Sequence, residues 1–541
     1  MHPSRGVPVA AALLTVSLAL SGCGAISSLT SDDDAAESEG GGESGADTGE
    51  EAGEPGGALE RPSVTERAIQ GEREFTANVV AQRLDGDHMM VEFQMVNDSQ
   101  ETISIGQSYL NSQYADNSAY PKGNFSILSW FDRDESALQL PYHYSDRECV
   151  CSDTDERDNR RVEAGESLTL AAVMPAPPAE QSQVTIFSGL TAPFVNVPIE
   201  DDGTDLEMFG LEHPDEADVE RETIRLESVI ERADRSGSVV EDSEGTSFNL
   251  STDVLFDTNE SELTSEADSL IEDTADRIDA AGATDIKVEG HADDTGDDEI
   301  NDPLSEERAE AVRDALDEYL DGVSYEIEGF GSREPLYDDT SEEAREQNRR
   351  VTISIPDSGE MSSSGDADSE VDTEADEEAE EDAPSSAGTG AGAPPEDFTA
   401  DLSGSWANDP IQGELRLTGL TRIANDRAVL TYSITNTSDE RIRVWGLLRD
   451  NSPRDTGGRN AEGARLTVPE TGNTHLTTHA FVPEFGTGAE CACTSLRGQL
   501  DGLDLEVTDE YYNLMSIDPE ATTVDVQIGD APPFEGVAVE G

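Results

Sequence analysis

The 541-residue chain has room for three or four domains. Its 120 Asp and Glu against 33 Lys and Arg leave a formal charge of −87, which repels phosphate and excludes nucleic acid as a partner. Lys occurs only at Lys122 and Lys287, and so acidic a composition suits a halophilic surface, where a short Debye length blunts self-repulsion.

His2 and Arg5 precede an apolar run from Val7 to Leu20. At about 14 residues it is too short to span a bilayer and has the length of a signal-peptide core. The run ends in Leu20-Ser21-Gly22-Cys23, which resembles the bacterial lipobox. Residues 1–22 are therefore expected to be a lipoprotein signal peptide, and Cys23 the lipidated residue, with palmitate as an expected acyl chain. No later stretch of 18 apolar residues appears, so the membrane partner is expected to be reached through lipid and not through a helix.

Residues 23–61 are rich in Gly, Ser, Ala, Asp and Glu, with no basic residue between Arg5 and Arg61. Too little apolar surface is present to offset chain entropy, so this segment reads as an acidic flexible tether spanning about 35 Å as a coil. Residues 357–397 repeat the composition and read as an acidic linker. Together they divide the mature chain into an N-terminal half and a C-terminal domain.

An internal repeat follows. Val91-Glu92-Phe93-Gln94-Met95-Val96-Asn97-Asp98-Ser99 aligns with Leu430-Thr431-Tyr432-Ser433-Ile434-Thr435-Asn436-Thr437-Ser438, and the offset of 339 holds through Ile103 and Ile442. Each segment carries Cys-x-Cys, Cys149 and Cys151 against Cys491 and Cys493, and Pro193-Phe194 matches Pro533-Phe534. Alternating apolar residues and Asn-x-Ser turns predict an all-β sandwich over 62–200 and again over 398–541. In an oxidising compartment the four cysteines are expected as disulfides, paired within each segment. A metal alternative uses His475, His479, Cys491 and Cys493, but the first segment has only His143 beside its cysteines. No metal and no cofactor is assigned.

After a connector, 201–245, Val254-Leu255-Phe256 reads as a strand. Leu263, Ala267, Leu270, Ile271, Thr274 and Ile278 have helical spacing, Ile286 to Gly290 alternate as a strand, and Ala309, Val312, Leu316 and Leu320 mark a second helix. Strands at Tyr325–Phe330 and Val351–Ile355 flank a short helix near Glu342. The order β-α-β-α-β-α-β over residues 246–356 predicts an α/β sandwich with helices on one face. The fold class is thus a central α/β sandwich between two repeated all-β sandwiches.

Within it, Val254-Leu255-Phe256-Asp257, Leu263-Thr264, Gly290-His291-Ala292-Asp293-Asp294-Thr295-Gly296, Asn301 to Val312, Gly329-Phe330-Gly331 and Asn348-Arg349-Arg350-Val351 occur in order. This region resembles the OmpA C-terminal-like family of peptidoglycan-binding domains. The resemblance implies non-covalent capture of the cell wall, with an Asp taking the ammonium of diaminopimelate and an Arg its carboxylate. Those positions here are Asp293 and Arg308. On the residues themselves, Ser305 is the expected helix cap and Arg308 lies in the first turn, where an Arg makes sense beside an anion. Asn301, Leu304 and Asn348 are expected to shape the site, Arg349 is a candidate for a second carboxylate contact, and His291 is expected to fill its family position. Asp294, Asp297, Asp298 and Glu299 crowd the loop with carboxylates, which should weaken capture of an anionic peptide at low salt.

No Ser-His-Asp context, His-Glu-x-x-His, P-loop or dinucleotide fingerprint is present, so no enzymatic activity is assigned. Two functions remain: a lipoprotein that tethers membrane to peptidoglycan, or a surface receptor or adhesin whose sandwiches bind other envelope proteins or ligands. The expected location is the outer face of the cytoplasmic membrane, with the outer membrane as the alternative.

Overall fold

The computed structural model describes residues 64–356 and 399–541, apart from 71–72, 105–124, 155–160, 202–205, 243–244, 338–339, 407–408, 443, 445–447, 449–462, 482–488, 495–502 and 530. The signal peptide, Cys23, the tether and the linker 357–397 lie outside the described residues.

The central region is built on one sheet. Its strands are β1 (Thr223–Glu231), β2 (Gly237–Asp242), β3 (Gly245–Ser251), β4 (Asp285–His291), β5 (Ser324–Gly331) and β6 (Arg350–Pro356). They lie side by side in the order β1-β2-β3-β6-β4-β5, antiparallel except for the parallel β4–β5 pair. Helix α1 (Ala267–Ala281) precedes β4, α2 (Asp298–Leu316) crosses from β4 to β5, and α3 (Glu342–Asn348) leads into β6.

Period-two alternation decides which face of the sheet the helices cover. Ile286 and Val288 are buried under them with Leu270, Ile271, Ile278, Ala309, Val312 and Leu316, each large apolar side chain contributing ~1.5–3 kcal/mol. On the other face Lys287 pairs with Glu289 at 2.6 Å. Helix α1 stops at Gly282, whose φ of 67° is the left-handed cap that glycine adopts without strain.

Val254-Leu255-Phe256 is not a strand. Thr252–Leu255 form a single helical turn, and the first strand of the expected pattern is β3, just upstream. The apolar triplet misleads because Leu255 and Phe256 are buried whichever way the backbone turns.

The flanking regions are stranded. Val64–Gln70, Arg73–Arg83, His88–Val96 and Ser167–Pro175 form one antiparallel run in that order. Thr399–Trp406, Asp409–Ala424, Arg427–Asn436 and Thr508–Ser516 form another. Smaller pairings recur too. Val184 faces Val197 and Ile186 faces Phe194 across a register shift, as Val524 faces Val537 and Val526 faces Phe534. The side-chain amide of Asn97 donates to the carbonyls of Glu101 and Val162, and that of Asn436 to those of Glu440 and Leu503. Cys149 is bonded to Cys151 and Cys491 to Cys493, with Cα atoms 5.3 Å apart in each pair.

The connector is itself structural. Strand β1 pairs with Ala137–Gln139, with Thr474–Leu476, with His479–Phe481 and with β2, so one segment hydrogen-bonds to all three regions. Ile224 and Leu226 on it are buried with Phe131, Leu138 and Phe187 from the first flank and Val429, Tyr512 and Leu514 from the second. The division into a separate N-terminal half and C-terminal domain is thus corrected. Charged linkers mark gaps along the chain, but a strand whose alternate residues are apolar on a sheet edge recruits partners from either side of such a gap.

Candidate functional site

The site forms where β4 and β3 end. Gly290, on β4, lies under α2 so closely that a Cβ there would stand 1.9 Å from the Ser305 carbonyl oxygen, and at Gly329 on β5 a Cβ would stand 2.5 Å from the Glu306 nitrogen. Only glycine permits this approach. It presses the middle of α2 onto the sheet and carries Arg308 inward.

Asp293 leaves β4 almost buried, at 7% exposure. One carboxylate oxygen accepts the Thr295 backbone N–H at 2.8 Å and the Thr295 hydroxyl. The other accepts from the Arg349 guanidinium at 2.7 Å. Burial opposes its charge, but the Thr295 and Arg349 hydrogen bonds prevail and hold the carboxyl below its ordinary value.

Arg349 also donates to Asp253, from Nε at 3.1 Å and from a terminal nitrogen at 2.8 Å, and Glu342 stands 3.6 Å away. Its hydrogen bonds to Asp253, joined by that to Asp293, raise its pKa above the ordinary arginine value. Asp253 had no signal in the sequence, being 96 positions from Arg349. The Ser251–Arg350 pairing of β3 with β6 brings the two together.

Arg308 is buried, its guanidinium 5.1 Å from the centre of the Phe256 ring, and its Nε donates to the Glu260 carbonyl at 3.0 Å. Desolvation lowers its pKa, with Arg349 adding repulsion and Asp253 opposing both. Among the described residues its terminal nitrogens have no acceptor, and no ion pair joins it to Asp293. Phe256, from the first motif block, and Glu260, which no motif includes, thus hold its stem.

The expected helix start is wrong. Asp297 caps α2, accepting from the Glu299 N–H, so Ser305 and Arg308 lie well inside the helix and no free N-terminal N–H groups surround Arg308. Helix α2 carries Pro303 in its interior, where proline is disfavoured. Ser305 instead donates to the Asp302 carbonyl and accepts the Gly331 N–H at 2.9 Å, pinning α2 to β5.

Of the shaping residues, Asn301 donates to the Thr295 carbonyl at 2.9 Å and steadies the Asp293 loop. Asn348 is buried and exchanges two hydrogen bonds with the Tyr337 backbone. Leu304 is half-buried. His291 stacks on Phe330, and burial pushes it down to about 3. The crowded carboxylates have local roles: Asp294 is clamped by Arg345 at 2.6 and 3.3 Å, Asp297 caps α2, and Asp298 accepts from Ser332. His475, His479, Cys491 and Cys493 make no thiolate metal centre, because the disulfide takes both sulfurs.

A sheet with helices on one face, carrying a paired Asp–Arg centre beside a buried second Arg, makes this an α/β sandwich domain, and the sequence comparisons give its family. Residues 255–349 match the OmpA family model. The outer-membrane lipoprotein YfiB of Pseudomonas aeruginosa is 33% identical over 114 residues, 21% of this chain and 68% of YfiB. Outer membrane porin F of the same organism is 38% identical over 105 residues, 19% of this chain and 30% of porin F. The crystal structure of the peptidoglycan-associated lipoprotein from Burkholderia pseudomallei aligns at 28% identity and a TM-score of 0.17, covering 19% of this chain and 87% of that one. The chain belongs to the OmpA family.

Proposed function

We propose that this chain is an exported lipoprotein, anchored through Cys23, that binds peptidoglycan through the diaminopimelate of the stem peptide. In this reading the Arg308 guanidinium receives the ligand carboxylate and Asp293, with Arg349 beside it, receives the ammonium. The observation that carries it is Arg308. A desolvated cation whose terminal nitrogens lack an anion is costly, and a carboxylate arriving there forms charge-assisted hydrogen bonds. The name of the relative YfiB, an outer-membrane lipoprotein, supports an envelope location.

The matching strand pairs and Asn turns support a further reading, that 62–200 and 398–541 are two copies of one β-sandwich module flanking the domain at 246–356. They hold the wall-binding domain on a rigid body at the end of the tether, at the outer face of the cytoplasmic membrane.

The test is retention of the exported chain on purified walls at several salt concentrations. Charge-assisted hydrogen bonds of ~1.5–3 kcal/mol correspond to about one to two decades of affinity. Arg308→Ala and Asp293→Ala should each lose that much on diaminopimelate walls, and the wild type should bind poorly to walls with Lys in that position. Retention that survives both substitutions, or equal retention on both walls, refutes the assignment.

A further inference from the structure

Away from the wall site, four side chains converge where the hairpin between Arg73–Arg83 and His88–Val96 meets the one-turn helix Pro214–Glu216 of the connector. They are Asp85, His88, His213 and Asp215, and their ligand-type atoms all lie within 4.8 Å of one another. The geometry points to a divalent transition-metal site of zinc type, with two imidazoles and two carboxylates as ligands, fastening the connector to the first stranded region.

Two of the four side chains are oriented from behind. His88 is 8% exposed, and its Nδ1 lies 3.0 Å from the Tyr142 hydroxyl, whose other neighbour is the Asp87 carbonyl at 3.5 Å. Held by the phenol at Nδ1, the ring turns Nε2 towards the Asp215 carboxylate 3.2 Å away, and in the tautomer with its hydrogen on Nδ1 that nitrogen offers a lone pair beside a carboxylate oxygen, the arrangement that receives a cation. Asp85 is fixed likewise: one oxygen accepts the backbone N–H groups of Asp87 and His88, both at 2.8 Å, which leaves the other directed at His213 Nε2, 3.1 Å away. Hydrogen-bonded second partners of this kind orient ligands in metal centres.

The spacing fits. Bonds of 2.0–2.2 Å in a tetrahedron separate the ligand atoms by about 3.4 Å. The His88–Asp215 and His213–Asp85 pairs, at 3.2 and 3.1 Å, are already near that value. The His213 Nδ1 accepts the Asp215 backbone N–H at 3.3 Å, which keeps its Nε2 on Asp85, and the Asp215 side chain, 74% exposed, is free to close the remaining distances. Nitrogen and oxygen donors suit zinc, and two aspartates neutralise its charge. The cluster is not a requirement of the strand framework: Arg427 occupies the place of His88 at the corresponding strand start, where it donates to Ser136.

The experiment titrates zinc into the metal-stripped, unlipidated full chain at high salt with excess Mg2+, which suppresses loose binding to the acidic surface. One equivalent should bind, and Co2+ in its place should show tetrahedral d–d bands. His213→Gln, on a half-exposed side chain that leaves the core intact, and His88→Gln should both abolish the equivalent. Tyr142→Phe should weaken it about 10- to 100-fold. No stoichiometric binding, binding that survives His213→Gln, or binding lost with His475→Gln instead would overturn the proposal.

Discussion

Replacing Arg349 by Gln isolates the electrostatic centre of the wall site. The substitution removes one hydrogen bond to Asp293, which is 7% exposed, and a two-pronged contact to Asp253, whose side chain is 49% exposed. A hydrogen bond to a buried charge is worth ~1.5–3 kcal/mol, while the solvent-screened Asp253 contact adds ~0–1 kcal/mol. The expected loss is therefore about 1.5–4 kcal/mol in the local opening free energy of β4 and the start of α2, read by hydrogen exchange of peptides covering Asp285–Leu316. The sign of its pH dependence follows from Asp293. Its folded pKa lies below the ordinary carboxylate value, so its contribution is complete above the unfolded value and disappears as pH falls through the folded one. The gap between wild type and variant should be full near neutral pH and shrink as pH falls through the folded value, where Asp293 takes up its proton even with Arg349 present. A gap that is absent, or that does not change with pH, refutes the view that Arg349 holds Asp293 ionised.

Gly290→Ala puts a Cβ 1.9 Å from the Ser305 carbonyl oxygen, so α2 must retreat by about 1.5 Å to regain an ordinary 3.4 Å contact; domain opening should cost ~3 kcal/mol less and wall retention should vanish, while exchange protection of Arg427–Asn436 stays. His291, pushed down to about 3 from 6.5, makes stability fall as pH drops between those values, because the unfolded chain binds the proton first. His291→Phe, which keeps the ring stacked on Phe330, should flatten the stability profile over that window, measured by thermal unfolding. Cys23→Ala should move the expressed protein from the detergent phase to the aqueous phase; undiminished partitioning would place the anchor elsewhere.

The central domain was legible because its helices and strands obey distinct periods over long stretches, as at Ala309, Val312 and Leu316. Its boundaries were less so. Ser305 followed by Glu306 and Glu307 imitates a helix start, and only the packing of Gly290 against Ser305 reveals that the helix is already under way. Asp293 and Arg308 were found through the motif that surrounds them, whereas Asp253 and Glu260 act through geometry that no local pattern records. Glu260 serves through its backbone carbonyl, which any residue supplies. The recurring Asn97 and Asn436 turns were visible because their hydrogen bonds are local, spanning the four residues to Glu101 and Glu440. The contribution of β1 was hidden, since Thr223–Glu231 alternates like an ordinary strand and its partners are chosen by tertiary packing.

Strand β1 also sets the order in which the chain is completed. Arg225 pairs with Ala137, already made when it emerges, and with Phe481, which follows 256 positions later. Until residues 474–481 arrive, Ile224 and Leu226 have lost only part of their contact with water, and one edge of β1 stays open. Such long-range closure slows folding and exposes a strand edge to aggregation meanwhile. A chain that folds after export therefore has a vulnerable interval whose length is set by delivery of its C-terminal segment. The heavy negative charge of the intervening residues 357–397 keeps neighbouring unfinished chains apart during that interval.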